Sequence, residues 1–410
     1  MARRDPLGVW LYGQRVAELT SARPGEVVCR YTREALEAWA GGTPLLSCSL
    51  PLGSRPHKDA GRYFRGMLPE GHALQAMAAE ANVATYDTFG MLARFGRDVA
   101  GAAIIGTEDP EDRIGGMVPY TTDTLADEVS GLEDRPLALY DDSELSLAGL
   151  QNKLLLVATD DGGWARPTGG RPSTHILKLE DRRHPGLVTM EAACLRLARA
   201  VALTSIDERV EQFAGLDCLI VSRFDRVAGA STVDRVHQED ACQALGRDPE
   251  ANNRKGKYES SGGPALREIA ELLDRHAADP LPQLRQLVRV VTYNVVIGNA
   301  DAHGKNISLL HPKPGEVVLA PLYDTVPTAL WPKLPTRAAM FVNKRESFAD
   351  VQLDDIVEEA RAWRLDPSEA RVIARETAEK LRASLDDADA PGDLRNLVTN
   401  RVATLLSARG

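Results

Sequence analysis

Residues 293–310 read YNVVIGNADAHGKNISLL, and residues 319–327 read LAPLYDTVP. The apolar run from Leu287 to Ile297 predicts a buried helix. It hands over to one polar loop holding Asn299, Asp301, His303, Gly304, Lys305 and Asn306. A second apolar piece, Ile307 to Leu310, follows at once. Beyond a turn at Pro312 to Gly315, the strand-like VVLAPLY ends on Tyr323 and leads to Asp324. An aspartate and an asparagine five residues apart also suit a hydrogen-bonded turn with capping side chains. Wedging that polar cluster between two apolar segments, with a further acid downstream, weighs against a turn alone.

The spacing fits phosphoryl transfer. Protein kinases use an Asp, four residues and an Asn, with a separate metal-binding Asp downstream. One carboxylate orients the attacking hydroxyl. The asparagine oxygen and the second carboxylate hold magnesium, which prefers hard oxygen ligands. Asp301 therefore reads as the catalytic acid-base residue, and Asn306 with Asp324 as metal ligands.

Composition bounds the alternatives. A chain of 410 residues is too long for one ordinary core and suggests two or three packed units. A formal net charge of −10 argues against a protein whose main task is gripping nucleic acid. The five cysteines, Cys29, Cys48, Cys194, Cys218 and Cys242, form no CxxC pair and read as reduced thiols. With no apolar run of membrane-spanning length and no signal-like start, the expected location is the cytoplasm, with no membrane partner.

Upstream, PLGVWLYGQRVAELT (6–20) predicts a hairpin with a Gly-Gln turn, YTREALEAW a short helix, and PLLSCSLPL a strand. YFRGMLPEGHALQAMAAEANV reads as a loop into a helix, and YDTFGMLARFGRDVAGAAII as helix, turn and strand. Residues 106–144 are acidic and turn-rich, which predicts a linker or variable insertion. KLLLVAT and THILKLE predict a hairpin around a Gly, Asp and Pro-rich loop. Before it, SLAGLQNK (146–153) could lay backbone amides on phosphates, or could be an ordinary loop, since no GxxxxGK[ST] occurs in the chain. Lys178, between two leucines, could face solvent or reach phosphates with Glu191 as its helix partner. LDCLIVSRFDRV reads as a strand with a charged end. In HQEDACQALG, the acids Glu239 and Asp240 favour a helix start over a metal cluster. From Leu266 onward the pattern is mainly helical.

These segments, together with GNADAHGKNISLL, APLYDTVPT and the KYESSGGP turn, resemble the HipA-type serine/threonine kinases of bacterial toxin–antitoxin pairs, in the family's order over nearly the whole chain. The resemblance implies an α+β, two-lobed kinase-like fold related to the PI3/4-kinase-like architecture, with a mixed α/β N-terminal half, a mainly helical C-terminal lobe and nucleotide in the cleft. Its expected parts are an N-terminal subdomain (1–105), the linker (106–144), a nucleotide-binding core (145–230) and a helical lobe with the catalytic loop (231–410). The resemblance assigns Ala148, Gly149, Leu150, Gln151, Asn152 and Lys153 to the ATP-binding loop, Lys178 to the phosphates, and Ser222, Arg223 and Phe224 to the adenine hinge. Asp225 could meet the ribose. Ser146 corresponds to the family's autophosphorylated serine, although Ser173 and Thr174 also offer hydroxyls. His303 and Lys305 could stabilise charge on the transferring group, and Gly304 and Tyr323 complete the nucleotide site.

The cofactors implied are ATP and magnesium. The implied partners are a HipB-like helix-turn-helix antitoxin, operator DNA mainly through that antitoxin, and a protein substrate such as an aminoacyl-tRNA synthetase, the glutamyl enzyme being the best-known case. Two other readings stay open: a metal-dependent hydrolase using Asp301, His303 and Asp324, and a catalytically silent regulatory partner of a DNA-binding protein.

Overall fold

The computed structural model describes residues 4–110, 115–135, 137, 146, 152–228 and 233–407. The chain divides into two compact units, Met1–Glu180 with Arg209–Glu239 and Leu310–Gly315, and Asp181–Glu208 with Asp240–Leu309 and Glu316–Gly410.

The first unit contains a four-stranded sheet in the order Val28–Tyr31, Gln14–Thr20, Leu7–Leu11 and Ile104–Gly106. The expected hairpin forms, but its turn is Tyr12-Gly13, one residue earlier than Gly-Gln. Both turn residues lie at positive φ, 52° and 78°, as a two-residue turn between right-twisted strands requires. Helices Gly61–Arg65, Gly71–Glu80 and Thr88–Phe95 surround a core that includes Leu7, Val9, Leu19, Tyr63, Phe64 and Phe95. YFR is thus helical rather than loop.

The PLLSCSLPL segment is not a strand. Its backbone is spent on local turns, Leu50 N–H to Ser47 O and Leu52 N–H to Thr43 O, while Leu45, Leu46, Leu50 and Leu52 are buried. Alternating apolar residues here mark burial without extension.

A six-stranded sheet follows, ordered Gly116–Pro119, Trp164–Thr168, Lys153–Ala158, His175–Leu179, Leu216–Ser222 and Glu208–Phe213. KLLLVAT and THILKLE do pair directly, Leu154 opposite Leu177. The stretch between them is more than a loop, because Trp164 buries its ring and carries a further strand. Similarly, the segment expected to be a linker supplies the edge strand Gly116–Pro119 and the helix Thr122–Ser130, whose Leu125 and Val129 join the core under the sheet. Asp123 and Asp127 lie on the exposed face of that helix, while Glu128 is buried beside the short apolar stripe.

In the second unit the helix Pro280–Ile297 is central, packing against Leu266–His276, Leu353–Ala362, Pro367–Ala383 and Gly392–Leu406. Pro280 starts it at a position where its missing N–H costs nothing. Every residue from Val290 to Ile297 is buried, and Gly298 ends the helix in the left-handed region at φ 69°. Tyr293 donates its hydroxyl to Cys194 O at 2.7 Å, which ties this helix to Leu187–Ala200. Downstream, VVLAPLY is a strand only over Val318–Leu319, since Pro321 cannot continue a ladder. HQED begins as a strand, His237–Asp240, before the short helix Ala241–Ala244. All five cysteines are unbridged, and among the described residues no helix is long and apolar enough to cross a membrane.

Candidate active site

The buried helix fixes where the polar loop begins. Asn299 N–H bonds Asn294 O at 3.0 Å, and its side-chain amide donates to Asn294 Oδ1, also at 3.0 Å. Asn299 Oδ1 in turn accepts Asp301 N–H at 3.2 Å, an Asx-type contact that bends the chain toward Asp301. His303 N–H closes on Asp301 O and Asn306 N–H on His303 O, each at 2.8 Å. The Asn306 amide nitrogen then donates to Asp301 O at 3.0 Å. That bond uses the amide nitrogen and leaves the carboxamide oxygen as the group of Asn306 able to accept. Asp301 and Asn306 are thus held as one piece, both half-buried.

Gly304 is boxed in. Its N–H bonds Lys257 O at 3.1 Å, its carbonyl accepts Ala241 N–H at 3.0 Å, and a Cβ there would stand 2.5 Å from Pro264 Cγ. Lys305 Nζ lies 3.2 Å from Asp240 Oδ2 in a buried ion pair. Asp240 also caps the Ala241–Ala244 helix, accepting Gln243 N–H at 2.8 Å. Lys305 is therefore engaged in holding the loop, whatever charge it adds to the site. His303 is buried and sets its ring edge-on to Tyr258, 5.3 Å between centroids.

The second acid is anchored from both sides. Tyr323 donates its hydroxyl to Lys305 O at 2.7 Å and lies 2.6 Å from Ser308 Oγ. Burial lifts the Tyr323 phenol far above its ordinary value, so it stays a donor. Thr325 donates to Tyr293 OH at 3.1 Å, and Thr328 Oγ1 accepts Ala300 N–H at 2.8 Å. Between these anchors Asp324 adopts φ 50°, a left-handed conformation that costs a non-glycine residue about 1 kcal/mol. Such strain is characteristic of functional positions.

In the first unit, Lys178 sits mid-strand directly opposite Lys153, with Leu219 on its other side. Cross-strand partners point to one face, so two buried lysines share that face of the sheet. Asn152 O accepts Leu179 N–H at 3.1 Å beside them. Ala148, Gly149, Leu150 and Gln151 lie outside the described residues. Ser146 is fully buried; its N–H bonds Asp98 O at 2.9 Å and its hydroxyl donates to Met67 O at 3.0 Å.

The expected hinge residues divide. Ser222 and Phe224 are half-buried at the end of the Leu216–Ser222 strand. Arg223 and Asp225 are instead interior. Arg223 N–H is taken by Thr174 O at 2.9 Å, and its guanidinium grips Asp225 at 2.8 Å and Ser173 Oγ at 2.8 Å. The Asp225 carboxylate also receives Arg226, Gly101 N–H and Gln238. Burial alone would raise Asp225; Arg223 and Arg226 outweigh it and hold the carboxyl below the usual range. Asp98, paired with Arg226 at 2.8 Å, belongs to the same network. Asp225 is thus committed to a structural network at this strand end.

Two contributors escaped sequence reading. Tyr258 donates to Asp301 Oδ1 at 2.8 Å, and Asp240 anchors Lys305. KYESSGGP was visible as a motif, but no periodicity links Tyr258 to an acid 43 positions away.

Comparison with known proteins bears on both units. A model of the HipA N-terminal domain matches residues 7–105, and one of the HipA-like C-terminal domain matches residues 145–385. The protein Y4mE of Sinorhizobium fredii is 38% identical over 360 residues, 85% of this chain and 83% of that one. The serine/threonine-protein kinase toxin HipA of Shewanella oneidensis is 28% identical over 315 residues, 73% of this chain and 70% of that one. Among solved structures, the Shewanella oneidensis toxin–antitoxin complex of HipA, HipB and operator DNA superimposes with TM-score 0.79 and 24% identity, over 98% of this chain and 96% of that one. At that identity the match speaks for the fold.

Proposed function

The chain belongs to the HipA family of serine/threonine kinase toxins, and on that premise we propose that it transfers the γ-phosphate of ATP, with magnesium, to a serine or threonine of a cellular protein. The observation that carries this reading is the loop in which Asp301 and Asn306 are bonded together, tied through Lys305 O to Tyr323, the residue before a strained Asp324. Asp301 orients the acceptor hydroxyl and takes its proton as the oxygen attacks. Asn306 Oδ1 and the Asp324 carboxylate are hard oxygen donors of the kind magnesium takes, and they would hold it. The bound ion supplies charge neutralisation on the phosphate oxygens. Lys178 and Lys153 provide paired positive charge for phosphates. The backbone of Ser222 and Phe224 serves adenine, with Arg223 and Asp225 stiffening that strand end from behind.

Ser146 is the proposed site of autophosphorylation. Its hydroxyl donates to the Met67 carbonyl, so a phosphate there would set a dianion against an acceptor, and the modified serine could not keep this buried contact. That supports self-silencing.

The proposed partner is a HipB-like antitoxin, through which operator DNA would be engaged. Support comes from the Shewanella complex and from a net charge of −10, which suits DNA contact through a second protein. An aminoacyl-tRNA synthetase, the glutamyl enzyme first, is the proposed substrate; its phosphorylation in the cytoplasm would inhibit translation and growth.

The test is γ-labelled ATP and magnesium with the purified protein, alone and with glutamyl-tRNA synthetase, for wild type and Asp324→Asn. Label should enter protein with wild type and fall by about 10²-fold or more in the variant. Near-normal transfer by Asp324→Asn would sink the assignment of that residue, and no transfer with no ATP binding by wild type would return the chain to a regulatory role.

A further inference from the structure

We propose that Tyr258 is a positioning residue for phosphoryl transfer, which holds the Asp301 carboxylate in the orientation that meets the acceptor hydroxyl; the inference rests on the kinase reading of this loop. A carboxylate at a loop position turns about two side-chain bonds, and each misaligned rotamer removes its oxygen from the line of attack. The Tyr258 hydroxyl donates to Asp301 Oδ1 at 2.8 Å and restricts that freedom from one end.

The donor is itself held rigidly. Tyr258 N–H bonds Lys255 O at 3.0 Å, and Tyr258 O accepts both Ser261 and Gly263 N–H at 2.9 Å. Gly263 allows this turn because a Cβ there would come within 2.6 Å of the Lys257 and Tyr258 backbone. The ring stands edge-on against His303, with an interplanar angle of 87°, so the hydroxyl cannot swing away without disturbing the loop it serves. Its chain neighbours reinforce the contact: Lys257 O receives Gly304 N–H, and a Glu259 carboxylate oxygen receives Phe341 N–H at 2.7 Å. Three consecutive residues thus bind the catalytic loop and the strand Arg337–Val342.

The test compares wild type with Tyr258→Phe, which keeps the ring and deletes only the donor, and with Tyr258→Leu, which deletes both. Phosphate transfer from ATP gives kcat and the KM for ATP, and calorimetry gives Tm. Tyr258→Phe should lower kcat about 10-fold to 100-fold, with the KM for ATP and Tm unchanged, and Tyr258→Leu should add little to the kcat loss. An unchanged kcat in Tyr258→Phe, or a loss matched by a rise in KM and a fall in Tm, would overturn the role. If wild type itself transfers no phosphate, the kinase reading fails first; active wild type beside an equally active Tyr258→Phe refutes Tyr258 alone.

Discussion

His237 illustrates what a single side chain contributes when it is fully buried among polar neighbours. Its ring lies 5.3 Å from that of His311, with Nε2 2.8 Å from Leu46 O, while His311 Nε2 meets Glu239 Oε1 at 3.0 Å. Burial, helped by His311, pushes its pKa down to about 4. The unfolded chain takes up that proton near the ordinary histidine value and the folded chain does not, so this stability is present above about pH 6.5 and lost as pH falls toward 4, on the order of 3 kcal/mol in all. Urea unfolding at pH 7 and pH 5 should reveal a larger loss for wild type than for His237→Gln; equal losses would mean another group dominates. At this scale the sequence was most informative where chemistry is local. Asp301 and Asn306 stood out because a polar cluster between apolar runs is hard to explain by solubility, and they lie in one turn. The network around Arg223 and Asp225 was not legible, because it also draws on remote residues: Arg226 reaches Asp98 across 128 positions.

Elements decide how firmly those residues are held. The helix Pro280–Ile297 was legible from its unbroken apolar run, and its left-handed end at Gly298 launches the loop. The helix Thr122–Ser130 was not, because two buried apolar positions, Leu125 and Val129, among acids resemble a solvated linker until a sheet covers them. The loop's fit against its neighbours is testable through two glycines. Gly304→Ala would place a Cβ 2.5 Å from Pro264 Cγ and 2.8 Å from Cys242 Sγ, whereas at Gly262, φ 86°, nothing lies within 4 Å. Gly304→Ala should lower kcat by about 10²-fold through displacement of the loop, and Gly262→Ala should cost only backbone strain of about 1 kcal/mol with activity kept. Initial rates and Tm for both variants check this; equal activities would show that the loop tolerates displacement.

For the whole molecule, the family and its fold were readable from motif order along the chain, while the division into units was less so, since the first unit gathers three separated segments. Such interleaving depends on contacts that no local pattern encodes. It does not alter the proposed assignment, in which Asp301 would act on an acceptor hydroxyl and Ser146, buried against Met67 and Asp98, would accept phosphate. The most direct measurement is intact and peptide-level mass spectrometry of the purified protein after incubation with ATP and magnesium, beside Asp301→Ala. One phosphate on Ser146 in wild type and none in Asp301→Ala is the expected result; equal phosphate in both proteins, or none in wild type, would contradict it.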